Sequence, residues 1–222
     1  MIKVSISYYF YDFVDIYSSI LGGSLDLHEE SGLAAIEAAN LTSELSKILR
    51  PEGEAMRITD RTSTILYNES SDPGPGQGTR PEVDRTQLRS LLLESIPQDT
   101  VKWGHKIKQA KQADDGTYTL IFESQPEVTG FDIVVGCDGA WSKVRPLVSE
   151  TMPHYSGVSA IELRHRNVSI RNPSLSSLVG PGTLFCLHDG KVLCCQRNGD
   201  DSIRVYAMQP TEESWTSTCG ID

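Results

Sequence analysis

FDIVVGCDGAWSKVR occupies residues 131–145, and its reading decides the fold class. Residues 131–137 are nearly all apolar, the texture of a strand covered on both faces, as in a parallel sheet. The run ends at Asp138-Gly139, and a short helix is expected from Ser142 to Val148. In open α/β sheets, ligands sit in the crevice beyond the carboxyl ends of the strands. An Asp there accepts hydrogen bonds from ribose hydroxyls, and a Gly lets the backbone approach a ligand closely. A plain strand–turn–helix corner with Asp138 as its cap fits the same spacing.

Upstream, VKWGHKIKQAK and TYTLIFES flank the turn Asp114-Asp115-Gly116 and read as a hairpin. Before them, Asp84 has the position of an N-cap, with Gln87 as its capping-box partner. Leu88, Leu91, Leu92 and Ile96 mark the buried face of the helix that follows. In that helix Arg85 stands at the first turn, where the dipole favours anions, and suits a pyrophosphate. A solvated surface arginine is the alternative. Residues 68–82 are a loop by composition. Helices are expected over Glu29–Ala39 and from Thr42 to Arg50, the second stopped by Pro51. Gly22-Gly23-Ser24-Leu25-Asp26-Leu27-His28 reads as a ligand-lining turn or as an Asp cap after a flexible link.

Downstream of Pro153 short β runs appear around 157–170, 183–188, 191–196 and 202–209, with Asp189-Gly190 and Asn198-Gly199 as hairpin turns. That half reads as an antiparallel sheet, which places a boundary near residue 151. Residues 1–23 form an atypical N-terminal segment, a strand or a poorly fixed arm. It has no A-x-A cleavage pattern, and a cytoplasmic location is expected.

The 222 residues carry 20 Lys+Arg against 30 Asp+Glu, a net charge of −10. Nucleic-acid binding rests on clustered cations, so a nucleic-acid partner is not expected. No run approaches the roughly 18 uncharged apolar residues of a membrane span, so no integral membrane segment is expected. The five cysteines form no C-x-x-C pair, and Cys194 and Cys195 point to opposite faces of a strand. The five histidines show no metal spacing, and no metal site is expected. Gly74-x-Gly76-x-Gly78 lies in a Pro-rich loop and not between a strand and a helix, so it fails as a dinucleotide loop. There is no G-x-S-x-G elbow and no evident nucleophile, so the catalytic residues stay unassigned.

GGSLDLHEESG, DRTQLRSLLLESI with VKWGHKI, and CDGAWSKVRPLV, in this order, resemble the flavin-dependent aromatic hydroxylases of the p-hydroxybenzoate hydroxylase group. They resemble most the subgroup of tetracycline-inactivating and secondary-metabolite monooxygenases. The resemblance runs from about residue 22 to about Trp215. It implies an α/β fold, with an incomplete flavoprotein nucleotide-binding domain over 24–150 and a mainly antiparallel β-sheet substrate domain over 151–222. Residues 53–80 would cross into the substrate domain. The resemblance implies FAD and NADPH as cofactors and O2 and a small aromatic or polyketide-like molecule as substrates. It places Asp26 and Arg85 at the flavin, and Asp138 and Gly139 near the cofactor ribose. Such enzymes need no protein nucleophile, because the cofactor carries the difficult chemistry. Glu162 and Arg204 are the candidates for pocket-facing groups.

Two departures stand out. Nothing in residues 1–21 has the strand, G-x-G-x-x-G and helix that cradle a pyrophosphate, and the Gly-Asp segment that follows the substrate domain in the family is missing. The pattern is that of a monooxygenase truncated at both ends. The alternative to an active enzyme is a non-catalytic remnant or gene-model fragment that no longer holds FAD. A simple NAD-dependent dehydrogenase would lack the same loop and leave the D-R-x-x-L-R helix unexplained.

Overall fold

The computed structural model describes residues 23–69 and 80–220. They divide into two units, 96–154 and 23–95 together with 155–220. The predicted N-terminal arm, most of the 68–82 loop and Gly74, Gly76 and Gly78 lie outside the described residues.

The larger unit opens with β1 (Ser24–Asp26), a one-turn π segment Glu29–Leu33, and helices α1 (Ala34–Ala38) and α2 (Thr42–Leu45). Both helices are shorter than the sequence suggests. A 3-10 turn, Pro51–Glu54, follows, with Pro at its start, where the absent N–H costs nothing. Strands β2 (Met56–Thr59) and β3 (Ile65–Asn68) come next, then β4 (Glu82–Asp84) and α3 (Arg85–Glu94). β4 pairs antiparallel with β1 in the register Ser24↔Asp84 and Asp26↔Glu82. Leu27, Ile36, Leu45 and Val83 form a small core under this layer, with Leu88 and Leu91 of α3 packed against it. Leu92, expected on the buried face, is exposed. It lies one residue beyond Leu91, about 100° further round the helix, and the narrow core does not reach it.

The smaller unit holds β5 (Ile107–Gln112), β6 (Tyr118–Phe122) and β7 (Val128–Phe131), a three-stranded antiparallel sheet. Gly116 takes φ +87° in the β5–β6 turn, which explains the Asp-Gly signal. The expected strand 131–137 is corrected here. β7 ends at Phe131, and residues 132–138 pair with no described strand. Phe131, Val134, Val144 and Leu147 pack on the β5–β6 core, whereas Ile133 and Val135 are 79% and 75% exposed. The segment is covered on one side only, because among the described residues of this unit no strand or helix caps its other side. The helix expected over Ser142–Val148 is a 3-10 turn, Arg145–Leu147.

The larger unit continues with β8 (Val158–His165), α4 (Val168–Arg171), α5 (Pro173–Val179), β9 (Thr183–His188), β10 (Lys191–Arg197), β11 (Ile203–Pro210) and α6 (Trp215–Thr218). These strands and β2 and β3 make one six-stranded sheet in the order β3-β2-β9-β10-β11-β8. Every neighbouring pair is antiparallel except β2 with β9. Asp189-Gly190 joins β9 to β10 with φ of 47° and 70°, the backbone of a tight turn matched to strand twist. Asn198-Gly199 is not the matching two-residue turn. The β10–β11 connection is longer, closed by Asn198 N–H donating to Ser202 O, and Asp201 takes the left-handed conformation at φ 60°.

Alternation along the strands gives the sheet two faces. Leu184, Cys195 and Ile203 point to one, where Val168 of α4 and Val179 of α5 seal a core. Pro173 opens α5, and Asn172 Oδ1 accepts from Leu175 N–H at its start, a cap that fixes the helix over this face. The opposite face carries Glu162, Arg204, Tyr206, Cys194 and Gln196.

Ile203→Ala is expected to lower stability by about 2–5 kcal/mol, whereas Ile133→Ala should change it by no more than about 0.5 kcal/mol. Urea unfolding midpoints of the two variants test both the sealed face and the one-sided strand.

Candidate active site

Arg50 organises the region where β1 and β4 meet the large sheet. Its Nη2 donates to Glu82 Oε2 at 2.7 Å and to Arg197 O at 2.9 Å, and its backbone N–H donates to Glu82 O at 2.7 Å. Both side chains are buried, 11% exposed for Arg50 and 3% for Glu82. Burial is the largest influence on Glu82 and raises its pKa, outweighing the lowering effect of Arg50. The next carboxylate, Asp84, accepts from Ser24 Oγ at 3.2 Å and from Gly199 N–H at 3.0 Å. Asp84 was expected to cap α3. It makes no side-chain cap bond, because its oxygens are taken by β1 and by the β10–β11 connection.

These bonds bring residues 23–26 against the second face of the large sheet. Ser24 N–H donates to Gln196 Oε1 at 2.9 Å. A Cβ on Gly23, which has φ +91°, would stand 3.0 Å from Gln196 Oε1 and 3.1 Å from the Tyr206 hydroxyl. Only glycine fits there without strain. Glu162 lies directly opposite Tyr206 on β8, and Tyr206 lies opposite Cys194 on β10. Arg204, buried, donates from Nη1 to Glu162 Oε1. Burial first, and then the nearby Glu82 charge, raises the Cys194 thiol pKa, so Cys194 is not a thiolate at neutral pH.

Asp26 and Arg85 belong to the same ladder. Arg85 N–H donates to Gly23 O at 3.1 Å, and Asp26 stands opposite Glu82 at the ladder's other end. Both side chains are exposed. Glu162 and Arg204 are on the sheet face that this ladder meets.

Asp138 and Gly139 lie in the other unit. Asp138 Oδ1 accepts from Ser142 Oγ at 2.5 Å and Oδ2 from Lys143 N–H at 2.7 Å. Burial works to raise this carboxyl, but its hydrogen bonds, from Ser142 first, together with the Arg145 charge outweigh it and leave the pKa below the ordinary value. Ser142 Oγ in turn accepts from Val144 and Arg145 N–H. The corner alternative thus describes the local bonding, with the carboxylate used to shape the turn. Gly139 takes φ +76°.

Arg50, Glu82 and Gln196 tie β1 and β4 to the large sheet, and the sequence did not signal them. Arg50 and Glu82 are 32 positions apart, and only the strand register unites them. Arg50 also borders a cavity of about 420 Å3 with Ser176, Arg197, Asn198, Gly199 and Asp201. Arg197 is tied there to Ser176 Oγ and Asp201 Oδ1.

No protein-family profile matches the chain. The chain is 35% identical to the monooxygenase penA of Penicillium thymicola over 190 residues, 82% of this chain and 43% of that protein. It is 32% identical to the monooxygenase asqM of Emericella nidulans over 198 residues, 84% of this chain and 44% of that protein. The chain spans less than half the length of these curated relatives. Among solved structures, Klebsiella pneumoniae HpxO complexed with FAD and uric acid superposes with a TM-score of 0.64 at 16% identity, covering 86% of this chain and 48% of that one. PqsL of Pseudomonas aeruginosa, a probable FAD-dependent monooxygenase, superposes at 0.60 and 18% identity, covering 86% and 52%.

Arg50→Met is expected to cost about 3–5 kcal/mol, because it leaves the Glu82 charge buried without its partner. A folded pKa above the ordinary 4.5 means that Glu82 favours the fold most below that value and less as pH climbs through the folded value. The difference in urea midpoint between wild type and Glu82→Gln should therefore move against wild type from about pH 4 to about pH 7. A difference that does not change with pH contradicts the burial effect.

Proposed function

We propose that this chain, a relative of monooxygenases with the fold of the FAD-dependent ones, is the central part of an NAD(P)H-using flavin monooxygenase. Its substrate is an aromatic or polyketide-like small molecule of secondary metabolism, and it acts in the cytoplasm. The observation that carries this reading is the segment 23–26, locked by Arg50, Glu82 and Asp84 against a sheet face that bears polar groups. FAD, when bound, supplies the redox chemistry: two electrons from NAD(P)H reduce O2, one oxygen atom enters the substrate and the other leaves as water.

The residues fit such a cofactor. Asp26, an acceptor, and Arg85, a donor, are exposed on one ladder, and neither forms a hydrogen bond or ion pair with another described side chain. They complement the polar edge of a ring bearing both N–H and carbonyl groups. Gly23 brings bare backbone up to Gln196 and the Tyr206 hydroxyl, where a Cβ would crowd both. The free face of the sheet positions the substrate and limits its contact with water. Asp138 and Gly139 are assigned to the ribose and NAD(P)H path. A second reading, a chain that keeps the fold without holding FAD, draws support from Asp138, both of whose oxygens are already engaged by its own turn.

FAD titration followed by fluorescence polarisation separates the readings. The wild-type chain should bind FAD, and Arg85→Ala should weaken binding about ten- to a hundredfold, the worth of one hydrogen bond from a charged group. Unchanged polarisation with the wild-type chain overturns cofactor binding by this chain. Equal affinity in Arg85→Ala overturns the role given to Arg85.

A further inference from the structure

The free face of the large sheet is chemically graded. Register places Glu162, Tyr206 and Cys194 in one row across β8, β11 and β10, continued by Phe185 on β9. The next row toward the far end of the strands holds Ala160, Met208, Val192 and Leu187, all apolar. The row on the other side holds Arg164, Arg204 and Gln196. A row of apolar side chains is thus flanked on one side by two rows that carry polar groups, the nearer one holding Glu162.

Glu162 is the group at that border whose carboxylate is open. Its side chain is 46% exposed, while its partner Arg204 is 3% exposed. The buried guanidinium, on the same face, holds the carboxylate in place, so the pair is neutral overall and presents acceptor oxygen outward. Such a group does not attract an anion and has no net charge with which to select a cation. It accepts a hydrogen bond from a neutral donor.

We infer that Glu162, oriented by Arg204, is a specificity-determining residue that accepts a hydrogen bond from an N–H or O–H on the rim of a flat, uncharged, apolar ring system lying on Phe185, Met208, Val192 and Leu187. This rests on the sheet face being the substrate side of a flavoenzyme, and it adds the substrate class. A carboxylate-bearing substrate is rejected, because its charge would face the Glu162 oxygens. A ring lacking a donor leaves that acceptor unpaired and binds more weakly.

The test is binding of three probes of one ring size to the full chain: 2-naphthol, 2-methoxynaphthalene and 2-naphthoate, measured calorimetrically with FAD titrated in parallel. Wild type should prefer 2-naphthol to its methyl ether about tenfold and should not bind the naphthoate. Glu162→Leu should abolish the preference while leaving FAD affinity unchanged, and Glu162→Asp should retain part of it. Equal binding of naphthol and ether by a wild-type chain that binds FAD overturns this inference and leaves the flavin reading standing. Discrimination by a chain that binds no FAD does the reverse. Tight naphthoate binding overturns the assigned ligand class. A Glu162→Leu variant that keeps its melting temperature and the naphthol preference shows that Glu162 does not make the contact.

Discussion

A buried ion pair, Arg50 with Glu82, sets the geometry of the larger unit. Removing two charges from water costs several kcal/mol per ion, and mutual attraction offsets that only when the geometry is good and further hydrogen bonds complete it. Here the completion is partial, since Arg50 Nε is buried without a hydrogen bond among the described residues. Arg50 also reaches Arg197 O, and Asp84 beside the pair collects Ser24 and Gly199. The space is as constrained as the charge. A Cβ on Gly53 would come within 2.6 Å of Glu82 Oε2, and one on Gly182 within 2.0 Å of Ala55 O. β1 and β4 therefore meet the large sheet in one arrangement, and the Gly23 turn inherits its position from it.

The large sheet divides its work between its faces. On one, Val168, Val179, Leu184, Cys195 and Ile203 are buried together and supply stability through apolar burial. On the other, the side chains are mixed in polarity. A two-residue alternation thus separates what holds the fold from what is available to a ligand, and a shift of register by one residue would exchange the two sets.

Features encoded by short-range chemistry were legible in the sequence. Asp115-Gly116 and Asp189-Gly190 announced their turns, because a left-handed backbone needs such residues, and the strands on either side followed from alternation. Glu162 and Arg204 were singled out separately, and only the β8–β11 pairing brings them together. What failed depended on partners remote in the chain. Residues 131–137 have the composition of a strand covered on both sides, but composition does not say whether a neighbour exists, and Ile133 and Val135 face outward. Asp84 had the spacing of a cap, yet Ser24 and Gly199 claim its oxygens. Arg50 looked like the last residue of a helix, and nothing near it in sequence hinted at Glu82.

Cys194 and Cys195, adjacent in β10, inherit opposite environments from the same alternation. Cys195 sits in the sealed core, where burial and its thiol neighbours push its pKa up to about 11, while Cys137 in the smaller unit is exposed. Only a thiolate alkylates rapidly, so Cys195 is shielded twice, by access and by protonation, until the sheet comes apart. The chain thus contains its own chemical clock: the delay between alkylation of Cys137 and of Cys195 records how often the large sheet opens, with no residue introduced and no cofactor required.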